Sequence, residues 1–365
     1  MKKLGFGCMR LPKDEKGVDY KEFSKMIDVF MERGFTYFDT AYVYHEKKSE
    51  IALRECLVKR YPRESFQIAD KMPPWDLKKP EDLENTFNEQ LEKCGVEYFD
   101  YYLMHNMNRD TYPTMKSLGG FEFAKKMKEE GKIKNLGFSF HDSAEFLEMV
   151  IKENPGMDFV QLQLNFIDME NPQVQSRACY EVLEKYNLPA IVMEPIRGGS
   201  LCNIPTEAEA IYKELGDSSA ASYAIRFAAS FPLVFMVLSG MSTMEQLLDN
   251  TNYMQDFKPL TDVERVAVDK VAEILKAYKT VPCTECGYCL EGCPKKINIP
   301  KLFDCYNRVK AYGDYDEIKK DYSKYTENAG KASDCIKCGL CEGHCPQHIE
   351  IREKLSDVSK MFDKE

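Results

Sequence analysis

The chain has 365 residues, 44% of them hydrophobic, a formal net charge of −10 and 14 cysteines. That length suits one large domain with a smaller one, and an acidic chain is poorly suited to gripping nucleic-acid phosphates. No apolar run approaches the roughly 18 residues of a membrane span, and MKKLGFGCMRLP lacks the apolar centre of a secretory signal, so the cytoplasm is the expected compartment.

Strand-length apolar runs recur along the first 260 residues: 4–8 (LGFGC), 36–40 (TYFDT), 66–71 (FQIADK), 99–105 (FDYYLMH), 134–140 (KNLGFSF), 159–165 (FVQLQLN), 190–196 (AIVMEPI) and 234–240 (VFMVLSG). Amphipathic stretches such as FSKMIDVFMERG and LENTFNEQLEKCG lie between them. Strands alternating with helices imply a parallel sheet. Eight such units predict a closed (β/α)8 TIM barrel over residues 1–258. An open doubly wound sheet would usually carry a glycine-rich G-x-G-x-x-G turn after its first strand, and none is found there.

Barrels of this kind place reactive groups at the C-terminal ends of strands. That rule selects Asp39, Lys71 and His105 at three successive strand ends, with Tyr44 five residues after Asp39. Alone, each is ordinary: an ion pair, a packed ring, a core histidine. Together they form a tetrad that can move a proton.

The pattern D-x-A-x-x-Y (Asp39, Ala41, Tyr44), followed by Lys71 and His105, resembles the aldo-keto reductases. The opening LGFGCMRLP, the GFSF strand end and SGMSTMEQLLDN are similar to that family as well, over roughly residues 1–255. The resemblance implies reduction of a carbonyl, or oxidation of an alcohol, with a nicotinamide cofactor. Tyr44 would be the general acid or base, Lys71 would make its phenol more acidic, Asp39 would hold Lys71, and His105 would donate to the substrate oxygen.

The resemblance further implies nicotinamide contacts at Ser139, Gln161 and Met193, and nucleotide contacts at Gly240, Thr243, Asp249 and Asn250. Phe140 stands where the family often has Asn, and Met193 where it often stacks a Tyr. Gly240 and Gln246 stand where Lys and Arg often meet the 2′-phosphate of NADPH, which leaves NADH, NADPH or neither open. Arg197 is a further cation in the loop after the seventh strand, suited to an anionic substrate or to capping a loop.

Beyond a helix beginning at Thr261 or Asp262, residues 259–365 form the second expected domain. Cys283, Cys286, Cys289 and Cys293, then Cys335, Cys338, Cys341 and Cys345, form two runs of C-x2-C-x2-C-x3-C-P. Three closely spaced thiolates can wrap one four-iron cube, while the fourth cysteine reaches the other cube. The expected ligand sets are therefore Cys283, Cys286, Cys289 and Cys345 for one 4Fe-4S cluster, and Cys335, Cys338, Cys341 and Cys293 for the other. Zinc sites usually use cysteine pairs. The helical spacer resembles ferredoxin modules attached to larger oxidoreductases, which implies an electron-transfer partner protein.

Nicotinamide moves electrons in pairs and clusters move them singly, so direct exchange needs a splitter, commonly a flavin. Three functions follow: a carbonyl oxidoreductase with an attached cluster module; an electron-transfer protein whose barrel is a scaffold or binds another redox cofactor; and an assembly protein with structural clusters.

Overall fold

The computed structural model describes residues 2–363. It divides into two compact units, one running to Pro195 with Ala221–Thr261, the other comprising Ile196–Ala220 with Asp262–Glu365. The sequence places one boundary at 258/259; the structure places it at Thr261/Asp262 and groups the segment 196–220 with the second unit. The reason is local: Tyr278 donates to Glu207 at 2.9 Å, and Tyr312 donates to the carbonyl of Asn203 at 2.8 Å.

In the first unit eight parallel strands close a barrel: β1 (Leu4–Gly7), β2 (Tyr37–Asp39), β3 (Gln67–Met72), β4 (Phe99–Met107), β5 (Ile133–Phe140), β6 (Phe159–Gln163), β7 (Ala190–Met193) and β8 (Val234–Ser239). Neighbours around the barrel are β1-β8-β7-β6-β5-β4-β3-β2. All eight expected runs are strands, with ends shifted by a few residues. A two-stranded hairpin at Lys13–Asp14 and Gly17–Val18 was not expected.

The helices bury one stripe each. In Tyr20–Glu32 the buried residues are Phe23, Met26, Ile27 and Phe30, three or four apart, and the Asp19 carboxylate caps the start by accepting from Glu22 N at 2.9 Å. Phe6, Phe23, Phe30 and Phe38 then meet as aromatic pairs between this helix and the sheet.

The barrel interior positions the site. Tyr37, Ala69, Leu103, Phe159, Ile191, Met236 and Leu238 form one cluster, with Tyr101 and Phe235 packed against it. Because a strand's side chains alternate with period two, the next inward positions on four of these strands are Asp39, Lys71, His105 and Gln161. Apolar side chains thus make the floor, and polar ones stand one layer above it. Gly137 permits the close approach of β5 to β6: a Cβ there would lie 2.4 Å from the carbonyl oxygen of Phe159.

In the second unit the main helices are Asp262–Ala277, Ile299–Tyr312, Tyr315–Thr326 and Ile351–Phe362. Leu302, Phe303, Ile318, Leu355 and Val358 form much of the core, and Tyr322 stacks on Phe362 with centroids 4.5 Å apart. The two cysteine runs are the visible part of a longer repeat. Left-handed residues recur at Glu285 and Lys337, Gly287 and Gly339, and Lys296 and His348, each pair offset by 52 (337 − 285). The helices starting at Ile299 and Ile351 keep the same offset.

Candidate active site

Lys71 is almost fully buried, as is Asp39, and its ammonium donates to Asp39 Oδ1 at 2.5 Å and to the carbonyl of Thr40 at 2.6 Å. Gln161 Nε2 donates to the other Asp39 oxygen at 3.2 Å. Burial pushes the Asp39 carboxyl above its ordinary range, against the pull of Lys71 and Gln161. Behind Lys71, burial and the neighbouring Glu50 hold the Asp70 carboxyl well above the usual range, while Glu50 faces Lys93 at 3.4 Å.

Tyr44 lies over this pair, with Lys71 Nζ 5.2 Å from its ring centroid. His105 is 6.2 Å from Tyr44, centroid to centroid, in an edge-on arrangement. Burial, then the charges of Lys71 and His141, lower the His105 pKa well below its ordinary value, so its imidazole is neutral and presents one N–H. The four expected residues therefore meet at the C-terminal mouth of β2, β3 and β4. The arrangement can supply a phenol beside a cation, and an imidazole donor opposite, to one polarised oxygen.

The segment after Tyr44 is unusual. His45, Glu46 and Lys47 have φ of 51°, 55° and 65°, three successive left-handed residues without glycine. Local clamps hold them: Leu11 N donates to His45 Nε2 at 3.2 Å, and Lys47 pairs with Asp76 at 2.7 Å. Strain of this kind collects at functional sites and is held by the surrounding structure.

On the other side of the mouth, Ser139 and Gln161 are register neighbours on β5 and β6. Ser139 Oγ accepts from Asn106 N at 2.7 Å. Among the described residues the carboxamide oxygen of Asn106 is buried without a hydrogen-bond partner, an acceptor suited in its chemistry to an amide donor. Met193 ends β7, half-buried. Gly240 follows β8 and lies against Arg10, where a Cβ would approach the Arg10 side chain to 3.2 Å. Arg10 pairs with Glu194 at 3.7 Å. Thr243 caps the helix Met244–Gln255 by accepting from Gln246 N, Asn250 on that helix donates to Ser239 Oγ at 2.8 Å, and Asp249 is half-buried beside it. Arg197 falls in the second unit, where its carbonyl accepts from Ser200.

Sequence reasoning passed over three residues of the mouth. Trp75, the chain's single tryptophan, packs edge-on to His105 with centroids 5.2 Å apart. Its place four residues after Lys71 was the available signal. His141, two residues beyond Ser139, influences His105 and follows from the same strand-end rule. Asp168 is fully buried and accepts from Gln163 and Asn165 at 2.9 and 2.8 Å just beyond β6; no local pattern marks it.

In the second unit the cysteines surround two cavities. Cys283, Cys286, Cys289 and Cys345 line one, and Cys293, Cys335, Cys338 and Cys341 line the other. Each set draws three residues from one run and the fourth from the other. Among the described residues no group of three or more His, Cys, Asp or Glu side chains is placed to hold a single metal ion. Burial pushes the Cys283 thiol up to about 12 and the Cys341 thiol to about 11, with neighbouring thiols adding to the first and Glu342 to the second. Glu285 N also donates to Cys283 Sγ at 3.4 Å.

A (β/α)8 barrel with a buried Asp–Lys pair beneath a tyrosine, joined to a module with paired four-cysteine cavities, is the architecture of a redox enzyme. The aldo/keto reductase family model matches residues 3–273, so the chain belongs to that family. A 4Fe-4S dicluster domain model matches residues 282–350. The protein is thus an aldo/keto reductase-type oxidoreductase carrying a ferredoxin-like domain.

A probable aldo-keto reductase 1 of Glycine max is 32% identical over 152 residues, which cover 38% of this chain and 41% of that one. A 9,11-endoperoxide prostaglandin H2 reductase of Trypanosoma cruzi is 26% identical over 281 residues, covering 75% of this chain and 88% of that one. Among solved structures, the holo form of an aldo-keto reductase from Bacillus halodurans has a TM-score of 0.59 at 20% identity, covering 74% of this chain and 91% of that one. A Klebsiella pneumoniae aldo-keto reductase in complex with NADPH has a TM-score of 0.59 at 17% identity, covering 74% and 90% of the two chains. These two structural likenesses concern the fold. No helix among the described residues is long and apolar enough to cross a membrane.

Proposed function

We propose that the barrel, residues 1–258, reduces the carbonyl of a small molecule, or oxidises the corresponding alcohol, with a nicotinamide cofactor, and that residues 259–365 carry two 4Fe-4S clusters. One observation carries the barrel reading: the Lys71 ammonium, fixed by Asp39 and Thr40, lies 5.2 Å from the Tyr44 ring. A fixed cation beside a phenol favours tyrosinate and makes the phenol a better acid.

When bound, the nicotinamide supplies the hydride. The chain's own residues do the rest. Neutral His105 donates a hydrogen bond to the substrate oxygen and polarises the carbonyl. Tyr44 gives that oxygen its proton, and takes it back in the oxidising direction. Asp39 keeps Lys71 charged and placed. Ser139, Gln161 and the unsatisfied Asn106 oxygen are suited to the carboxamide, and Met193 to the ring face. Gly240, Thr243, Asp249 and Asn250 are suited to the nucleotide end. NADPH in the Klebsiella pneumoniae relative supports a nicotinamide here, and the absence of cations at Gly240 and Gln246 leaves NADH as an equal candidate.

In the cysteine module, Cys283, Cys286, Cys289 and Cys345 hold one cluster, and Cys335, Cys338, Cys341 and Cys293 the other.

The test is Tyr44→Phe in anaerobic, cluster-loaded protein, with benzaldehyde as substrate and NADH and NADPH as donors. Turnover falls by at least about 100-fold, while iron content and the response of Trp75 fluorescence to nucleotide are unchanged. Equal turnover in the variant, or no nucleotide response in the parent protein, defeats the reading. Cluster bleaching by nucleotide alone would call for a flavin as electron splitter.

A further inference from the structure

The two cysteine cavities are related by the 52-residue repeat, yet their surroundings differ. Thr284, inside the first run, is 2% exposed, and the segment 196–220 lies on it: a Cβ on Gly198 would come within 2.5 Å of the Thr284 carbonyl oxygen. Tyr278 and Tyr312 tie the same segment down through Glu207 and Asn203. The residue equivalent to Thr284 is Ile336 (284 + 52), and it is 57% exposed. Leu340, also in the second run, is 54% exposed, and Cys338 is the one cysteine of the fourteen classed as exposed.

Charge differs in the same direction. No charged residue lines the first cavity, whereas Lys295 and Arg352 line the second. Lys296 and Lys337 are exposed beside them. Arg352 is paired with Glu342 at 2.7 Å, which leaves the three lysines to set the sign of the rim. On a chain of net charge −10 this is a local positive apron around two exposed aliphatic side chains.

We propose that this face, centred on Ile336, Cys338 and Leu340 and rimmed by Lys295, Lys296 and Lys337, is the docking surface for an acidic one-electron carrier protein, and that the second cluster is the port through which the protein exchanges electrons. The proposal rests on the reading that the cavities hold clusters. An apolar centre with a charged rim is how transient partners are steered and seated. The step is a single-electron transfer: the reduced carrier loses one electron, the second cluster gains it, and no bond is made or broken. The first cavity, whose Thr284 lies under the segment 196–220, is the less open of the two at this position.

The experiment uses the anaerobic, full-length holoprotein and a reduced plant-type two-iron ferredoxin as the acidic probe, with cluster bleaching followed by stopped flow. The second-order rate falls about tenfold or more between about 0.1 M and about 1 M salt. It falls by a similar factor in Ile336→Asp and in the double variant Lys296→Glu/Lys337→Glu. Photoreduction by a small neutral deazaflavin is unchanged in the lysine variant; Ile336 also lines the second cavity, so for Ile336→Asp the loss with the carrier exceeds any loss with deazaflavin. Leu290→Asp is the control: Leu290 is 44% exposed and follows Cys289 of the first cavity, and the variant keeps the parent rate. Parent rates in the Ile336 and lysine variants, or a loss confined to Leu290→Asp, overturn the proposal. So does a dimer of this chain that Ile336→Asp dissociates, since the face would then belong to a second copy. Iron analysis separates the underlying reading: well short of about eight irons per chain, the cluster assignment itself fails.

Discussion

Replacing Lys71 by Met removes one partner of a buried ion pair and leaves the other. The two side chains are 1% and 4% exposed and meet at 2.5 Å, so water does little to screen them. In the variant, Asp39 keeps only Gln161 as a donor, and the carbonyl of Thr40 loses the ammonium. Stranding one member of such a pair costs about 3–5 kcal/mol. The buried carboxyl answers by holding a proton. Its folded pKa is already raised by burial, and removing the cation that lowers it raises it further. For an acid with a raised pKa, the stabilising contribution is complete below the unfolded value of about 4 and is lost as pH rises through the folded value. The deficit of Lys71→Met therefore grows as pH rises above about 4. Adding Asp39→Asn removes the stranded charge and restores at least about 2 kcal/mol at the higher pH. Urea unfolding followed by fluorescence reads this unit, because the single tryptophan is Trp75. A deficit below about 1 kcal/mol, flat with pH, or a double variant no more stable than Lys71→Met, refutes the reasoning.

Burial lowers the pKa of His105 well below the ordinary value and that of His45 to about 4. A base with a lowered pKa contributes stability that is complete above the unfolded value and lost as pH falls toward the folded one, so the barrel weakens between about pH 6.5 and pH 4. Equilibrium unfolding across that range checks this, and kcat/KM shows no inflection near the ordinary histidine pKa. In the cysteine module, Cys345→Ser removes a ligand from the first cavity although it lies in the second run, and Cys293→Ser does the reverse. Electron paramagnetic resonance of the reduced variants is expected to show the Cys335–Cys338–Cys341 cluster intact in Cys345→Ser and perturbed in Cys293→Ser.

The barrel and its tetrad were legible because they obey rules of period. Apolar strand runs recur between amphipathic helices, and the interior alternation that puts Tyr37 on the floor puts Asp39 above it. The cysteine spacing was legible for a different reason, since each run is a contiguous loop. Features made by loops meeting across the mouth were not. Trp75 reaches His105 through the path of the loop after β3, and the left-handed run His45–Lys47 contains no glycine to announce it. Glu50 meets Asp70 only through the packing of its helix, Ser49–Leu53, in the folded barrel, and nothing in SEIAL marks that charge as interior. The segment 196–220 follows a barrel strand directly, so sequence order assigned it to the barrel. Its hydrogen bonds to Tyr278 and Tyr312 lie about 70 and 110 residues away, beyond any local pattern.

The crossed lining of the two cavities also sets a timetable. The first run has its three clustered thiols once Cys289 has been made, but its fourth wall is Cys345, 56 residues later (345 − 289). The second cavity is the reverse, with Cys293 waiting for a run that begins at Cys335. During synthesis neither enclosure can close before the other is nearly made.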